Sequence, residues 1–291
     1  MKRAVITILA IVGTIISHAQ VDDALFDRLQ GFANNEFKFF NTDGIEISAI
    51  PMKGVFTPKS IAKQYKEYRI KDSDIKNTDS LLSTKNYYVS KKMEGQYQDI
   101  YFLEHNDRIL GMIFRSAFEI DRQFERDFVK LFTTGKIPDD ICQKLTETQH
   151  INFAGRPIVV KGCHWMSPNN LQCPYNGQMN WSSFKTMEAA QRELESHFQF
   201  INANKKGKVI SDEQVAVIFE DQEVMARKLV FDLTGVISAL AATTGGKTLT
   251  VYMVVAPVRN KFLECVISHW NNDNLDANGL PAIVSGLMTL K

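Results

Sequence analysis

Ile100-Tyr-Phe-Leu-Glu104 and Ile109-Leu-Gly-Met-Ile-Phe-Arg-Ser116, separated by the turn signal Asn106-Asp107, decide how this chain is read. Two apolar runs rich in β-branched and aromatic residues on either side of an Asn-Asp pair predict a hairpin of antiparallel strands. A similar pattern returns near the other end. Val251-Tyr-Met-Val-Val255, a turn at Asn260, and Phe262-Leu-Glu-Cys-Val-Ile-Ser268 align with it, and an aromatic residue lies two positions beyond each Ser, Phe118 in one copy and Trp270 in the other.

Outward from the first hairpin, Gly44 to Pro51 alternates as a strand, and Thr57-Pro58 opens a helix with Ile61, Tyr65 and Tyr68 on one face. After a polar stretch from Lys71 to Thr84, Asn86 to Lys92 reads as a further strand. Ile120, Phe124, Phe128, Leu131 and Phe132 mark an amphipathic helix that Gly135 and Pro138 stop. In the second half, Pro157 to Trp165 is strand-like. Trp181-Ser182-Ser183 starts a helix to about Ile201, whose stripe is Phe184, Met187, Leu194, Phe198 and Ile201. Val215 to Phe219, Ala226 to Leu233, Thr248 to Ala256 and Lys261 to Trp270 follow as strands, and Ile283, Leu287 and Leu290 supply a closing helix. Strands joined by hairpins beside helices leave no room for parallel crossovers. The expected class is therefore α+β, in two similar modules that each pack helices on an antiparallel sheet: residues 20–138, a helical junction at 139–155 that holds Cys142, and residues 156–291.

This element order resembles the PsbP/Mog1-like superfamily through Gly44 to Pro51, Ile100 to Phe132 and Val251 to Leu290, as two tandem copies. The Cys163–Cys173 loop and the strands from Val215 to Leu233 depart from that pattern. The resemblance implies a non-catalytic binding module, since members serve as photosystem subunits, transport regulators and secretion chaperones.

Lys2 and Arg3, the apolar run from Ala4 to Ile16 and the small residues of Ser17-His18-Ala19 read as a cleaved signal peptide over residues 1–19. The run is shorter than the roughly 20 residues that span a bilayer. The expected product begins near Gln20 as an exported soluble protein, periplasmic or secreted, with no stable membrane insertion. The 34 Lys and Arg nearly balance the 33 Asp and Glu, and this argues against a nucleic-acid partner, which needs a large basic excess.

Export gives the four cysteines their meaning, because thiols pair outside the cytosol. Cys163 and Cys173 flank a short loop with Pro168, Asn169 and Asn170 at its tip. Bridging it stabilises by roughly 2–3 kcal/mol. Cys142 and Cys265 are expected as separate buried thiols. In and just after this loop, His164, Trp165, Tyr175 and Trp181 are candidate binding residues, with Asn169, Asn170, Asn176 and Asn180 among the rings. Rigid aromatic faces beside polar groups suit a protein, peptide or glycan of the cell envelope. The same rings could instead cap the core.

Other patterns weigh less. Gly246-Lys247-Thr248 ends like a phosphate loop, but Ala241 stands where that motif needs Gly. Asn274, Asp276 and Asn278 ahead of Gly279 have the spacing of a Ca²⁺ loop, with Ser285 in place of the bidentate Glu. They support a Ca²⁺-stabilised module as an alternative. A second alternative is a hydrolase-type enzyme with a Cys/His site assembled by the fold. Cys163 and His164 point to opposite faces if extended, and Cys265 and His269 lie roughly 13 Å apart along a strand, so each needs another partner. The carboxylate clusters Glu193-Leu-Glu195 and Glu220-Asp221 read as solvated acidic faces. No cofactor is expected.

Overall fold

A computed structural model describes residues 24–93, 95–144, 150–159, 162–203, 207–233 and 247–291. The expected leader lies outside them. Helix α1 (Leu25–Arg28) leads into β1 (Gln30–Asn34), β2 (Phe37–Thr42) and β3 (Ile45–Met52), a meander whose first two strands the sequence reading did not find. Helix α2 (Pro58–Gln64) begins where expected, with the Thr57 hydroxyl accepting the Ser60 amide. Strands β4 (Asn86–Met93), β5 (Gln96–His105) and β6 (Arg108–Ser116) form a second meander, followed by α3 (Arg122–Thr133) and β7 (Cys142–Lys144). These strands make one seven-stranded sheet in the order β4-β5-β6-β3-β2-β1-β7, antiparallel except for the β1–β7 pair.

Both faces of this sheet are covered. Phe40, Ile47, Tyr101 and Phe114 meet Phe128 of α3 on one side, while Ile50, Ile100, Phe102 and Ile113 meet Ile61 of α2 and Tyr65 at its C-terminal end on the other. That is why Ile100-Tyr-Phe-Leu103 carries no polar alternation: a strand buried on two faces has none to keep.

The second half contributes the small hairpin β8 (His150–Phe153) and β9 (Arg156–Val159), then β10 (His164–Ser167), β11 (Asn170–Cys173), β12 (Gly177–Phe184) and α4 (Met187–Ala203). Strands β13 (Gly207–Phe219), β14 (Gln222–Leu233), β15 (Thr248–Val258), β16 (Lys261–Trp270) and β17 (Met288–Leu290) complete an antiparallel eight-stranded sheet, ordered β10-β11-β12-β16-β15-β14-β13-β17. Leu194, Phe198 and Ile201 of α4 cover Leu229, Val251 and Met253 on one face. Ile151, Phe153, Ile283 and Leu287 cover Trp181, Val254 and Cys265 on the other.

The α+β expectation is thereby corrected. Among the described residues seventeen strands stand against four α-helices, so the chain is predominantly antiparallel β. Three stretches expected as helix are not. The 139–155 junction contains a 3₁₀ turn (Asp139–Ile141), β7 and β8; the closing segment is a 3₁₀ turn (Ala282–Val284) and β17; and Trp181 lies within β12, ahead of α4. In each case a sheet edge or a ladder partner takes the backbone groups that a helix would have satisfied internally. Cys142 pairs with Gly31 in a parallel ladder, and Leu290 pairs with Val217. The strand expected over Pro157 to Trp165 is divided between β9 and β10.

The two large sheets meet along β2, β12 and the start of α4. Trp181 Nε1 donates to Gln30 Oε1 at 2.9 Å, and Gln30 Nε2 donates to the Asn152 carbonyl, so one buried amide joins both sheets and the small hairpin. The Asp43 amide bonds the Ser183 carbonyl at 2.9 Å, and Asp43 Oδ1 accepts the Lys185 amide at 2.9 Å.

Candidate functional site

Where the sheets diverge from this contact they leave a cavity of 310 Å³. Its floor is built from polar residues on facing strands and in the β10–β11 turn. Asn169, Asn41 and Ser182 are buried, and the Asn169 amide donates to the Trp181 carbonyl at 2.5 Å and to Ser182 Oγ at 3.1 Å. Ser182 Oγ donates in turn to Asn41 Oδ1 of the other sheet at 3.0 Å. Satisfied networks of this kind hold side chains rigidly.

Helix α4 forms one wall. Residues four apart share a helical face, so Glu193 and His197 both point down onto the sheet, where Glu264 lies directly across the ladder from Ser182. His197 Nδ1 is 2.9 Å from Glu264 Oε1, and Nε2 is 3.5 Å from Glu193 Oε1. Burial opposes a charge on His197, but the hydrogen bond to Glu264 and the two carboxylate charges outweigh it and raise the imidazole to about 9. Burial, with Glu264 adding to it, pushes Glu193 up to about 7 against the opposing pull of His197. Glu264 is fully buried, and its Oε2 has no hydrogen-bond partner. Gly44, at φ +74°, completes the wall: a Cβ there would come within 3.0 Å of Glu193 Oε2. Sequence reading placed Glu193 on a solvated face. The i, i+4 spacing to His197 was visible, but Glu264 is brought up from a strand at the far end of the chain.

The candidate aromatic residues are placed differently from one another. Trp181 is buried as the tie between sheets, and Trp165 is half-buried, 6.2 Å from the Trp181 ring and 6.0 Å from Phe32. His164 and Tyr175 are exposed, and Tyr175 lines a separate 340 Å³ cavity with His269 and Trp270. Asn169 and Asn180 face the inter-sheet cleft instead. The Cys163–Cys173 disulfide is present and closes the β10–β11 hairpin.

Of the thiol and imidazole groups that an enzyme would draw on, Cys265 and His269 are buried, Cys142 is half-buried and His164 is exposed. Cys265 is wholly buried, and burial raises its thiol well above the usual range; Cys142 is pushed up to about 11 by burial. His269 is buried against the Tyr252 ring with Nδ1 3.1 Å from the Trp270 carbonyl. Glu220, expected on a solvated face, is buried between Arg156 at 2.6 Å and Arg259. In the candidate Ca²⁺ loop, Asp276 Oδ1 accepts the Asn278 and Leu280 amides, and Asn274 donates to Asn176. Asn271 accepts the Lys247 and Thr248 amides, while Gly246 lies outside the described residues. No helix among the described residues is long and apolar enough to cross a membrane.

No known protein family matches this chain, and no curated protein does. A solved structure described as "The crystal structure of Tle4-Tli4 complex" aligns over 87% of this chain and 89% of that one, at 7% identity and a TM-score of 0.24. That value is too low to carry an argument.

Proposed function

We propose that this protein is an exported, non-catalytic binding module of the cell envelope that takes part of a partner into the cleft between its two sheets. One observation carries the reading: the cleft floor is a hydrogen-bonded set of Asn and Ser side chains drawn from both sheets. A rigid, polar, pre-formed cavity loses little entropy when it binds. The Cys163–Cys173 bridge supports an oxidising compartment. Thiols raised by burial and an imidazole held between two carboxylates favour binding over a Cys/His enzyme. His164 and Tyr175, both exposed, offer a second contact surface on the same half.

The test pairs location with site. The native protein should be recovered from the envelope fraction beginning near Gln20, with Cys163 and Cys173 oxidised. Hydrogen exchange in the presence of envelope extract should slow at residues 180–182 and 193–197. Ser196→Trp, which fills the cleft from α4, should abolish that slowing. Protection that survives the filled cleft would remove it as the site.

A further inference from the structure

The 340 Å³ cavity beside Tyr175 lies apart from the inter-sheet cleft. Its floor is a row of side chains across three strands. Gln172 of β11 pairs with Gln178 of β12, and Gln178 pairs with Ser268 of β16, so all three stand on one face of the sheet, with Trp270 two residues along on the same face. Most of their hydrogen-bonding capacity is open. Gln178 gives Nε2 to Asn170 at 3.3 Å, while the Gln172 amide, the Ser268 hydroxyl and the Trp270 indole N–H make no hydrogen bond among the described residues. No lysine, arginine or glutamate is among the described residues that line the cavity, and Oδ2 of its one carboxylate, Asp273, accepts the Trp270 amide at 2.8 Å.

Tyr175 borders this floor from the turn between β11 and β12. Its backbone is left-handed at φ +60°, a region that bulky residues rarely enter, its carbonyl accepts the Asn274 amide at 2.7 Å, and the residue is 60% exposed. A ring that strains the backbone and gains little burial adds nothing to the fold that Asn or Gly would not supply with less strain. Amides and hydroxyls both donate and accept, as sugar hydroxyls do, and the faces of Tyr and Trp rings suit the C–H faces of a pyranose. With no lysine or arginine on the described walls, an anion finds no fixed counter-charge there. We propose that this cavity binds a neutral sugar residue, its ring against the aromatic faces and its hydroxyls on Gln172, Gln178 and Ser268. This rests on the binding-module reading but not on the cleft. The sugar can be a free oligosaccharide or part of an envelope glycan, since both present the same hydroxyls.

Calorimetric titration of the disulfide-bonded protein with cellotetraose, and separately with the N-acetylglucosamine tetramer, tests this. Saturable binding of at least one is expected. Retention on insoluble cell-wall glycan as well points to an envelope glycan, and tetramer binding without it points to a free oligosaccharide. Tyr175→Asn places a residue that tolerates left-handed backbone, so it should leave the melting temperature unchanged or raise it while weakening binding roughly tenfold. Gln172→Ala, at an exposed position with no internal hydrogen bond, should weaken binding about threefold. Ser196→Trp, which fills the cleft, should leave sugar binding unchanged. No saturable binding of either tetramer, unchanged affinity in Tyr175→Asn, tighter binding of a uronic-acid tetramer, or loss of sugar binding in Ser196→Trp overturns the proposal. If no sugar binds while Ser196→Trp still abolishes protection by envelope extract, the cleft stands as the site and only the sugar is wrong.

Discussion

Tyr65 and Gly111 show how two residues set one another. The Tyr65 hydroxyl lies 2.6 Å from the Ile50 carbonyl and 2.9 Å from the Ile109 carbonyl, and it accepts the Gly111 amide at 2.8 Å, so it stitches β3 to β6 from above. Its ring lies where a side chain at position 111 would be: a Cβ on Gly111 would come within 2.4 Å of the ring. Gly111→Ala should therefore destabilise by at least about 2 kcal/mol in urea unfolding; an unchanged midpoint would show that the ring moves freely. Glu125 makes a different statement. It is fully buried, receives the Tyr101 hydroxyl at 3.0 Å, and is pushed up to about 9 by burial and by the neighbouring Asp99. With the unfolded value near 4.5, the folded state favours the protonated acid, so its contribution is complete below about 4.5 and is lost as pH rises through 9. Relative to wild type, Glu125→Gln should gain about 3 kcal/mol between pH 5 and pH 8. Parallel pH–stability curves would refute this. None of these pairings is legible in sequence, because each joins residues whose proximity the sheet creates.

At the scale of elements, the β5–β6 and β15–β16 hairpins were legible, whereas β1–β2, β8–β9 and the ends of the helices were not. Asn106-Asp107, Glu220-Asp221 and Arg259-Asn260 all adopt left-handed backbone at both turn positions, the geometry that suits the twist of the flanking strands. Strand signals and turn residues sit within a few positions of one another, so local chemistry suffices. The segment at Trp181 misled because its apolar spacing fits either a strand or a helix, and pairing with β16 chose the strand. The Cys163–Cys173 bridge belongs to this scale too. It ties β10, which sits at the edge of its sheet, to the far end of β11. Replacing both cysteines with Ser should lower stability by about 2–3 kcal/mol through the loop entropy restored to the unfolded chain. Hydrogen exchange should then rise first at residues 164–173, and a uniform rise across the second sheet would contradict a local role.

For the molecule as a whole, the contact between sheets decides both cooperativity and site. Gln30 is a central part of it, holding Trp181 and the Asn152 carbonyl from β1. Gln30→Ala leaves a buried indole N–H and a carbonyl unpaired and should cost about 2–4 kcal/mol. Calorimetry should then resolve two transitions where the wild type shows one; a single transition at lower temperature would mean that the halves remain coupled elsewhere. The sequence by itself determined the β5–β6 and β15–β16 hairpins, the amphipathic faces of α3 and α4, the bridged loop and a near-neutral charge, since periodicity, turn chemistry and composition act over a few residues. Only the tertiary structure decided that the chain is predominantly β, that Trp181 is a buried tie, and that Glu193 and His197 share a cleft with Glu46 above the buried Glu264. Burial and pairing depend on strands distant in sequence, and the free energy of a buried charge is fixed by what surrounds it.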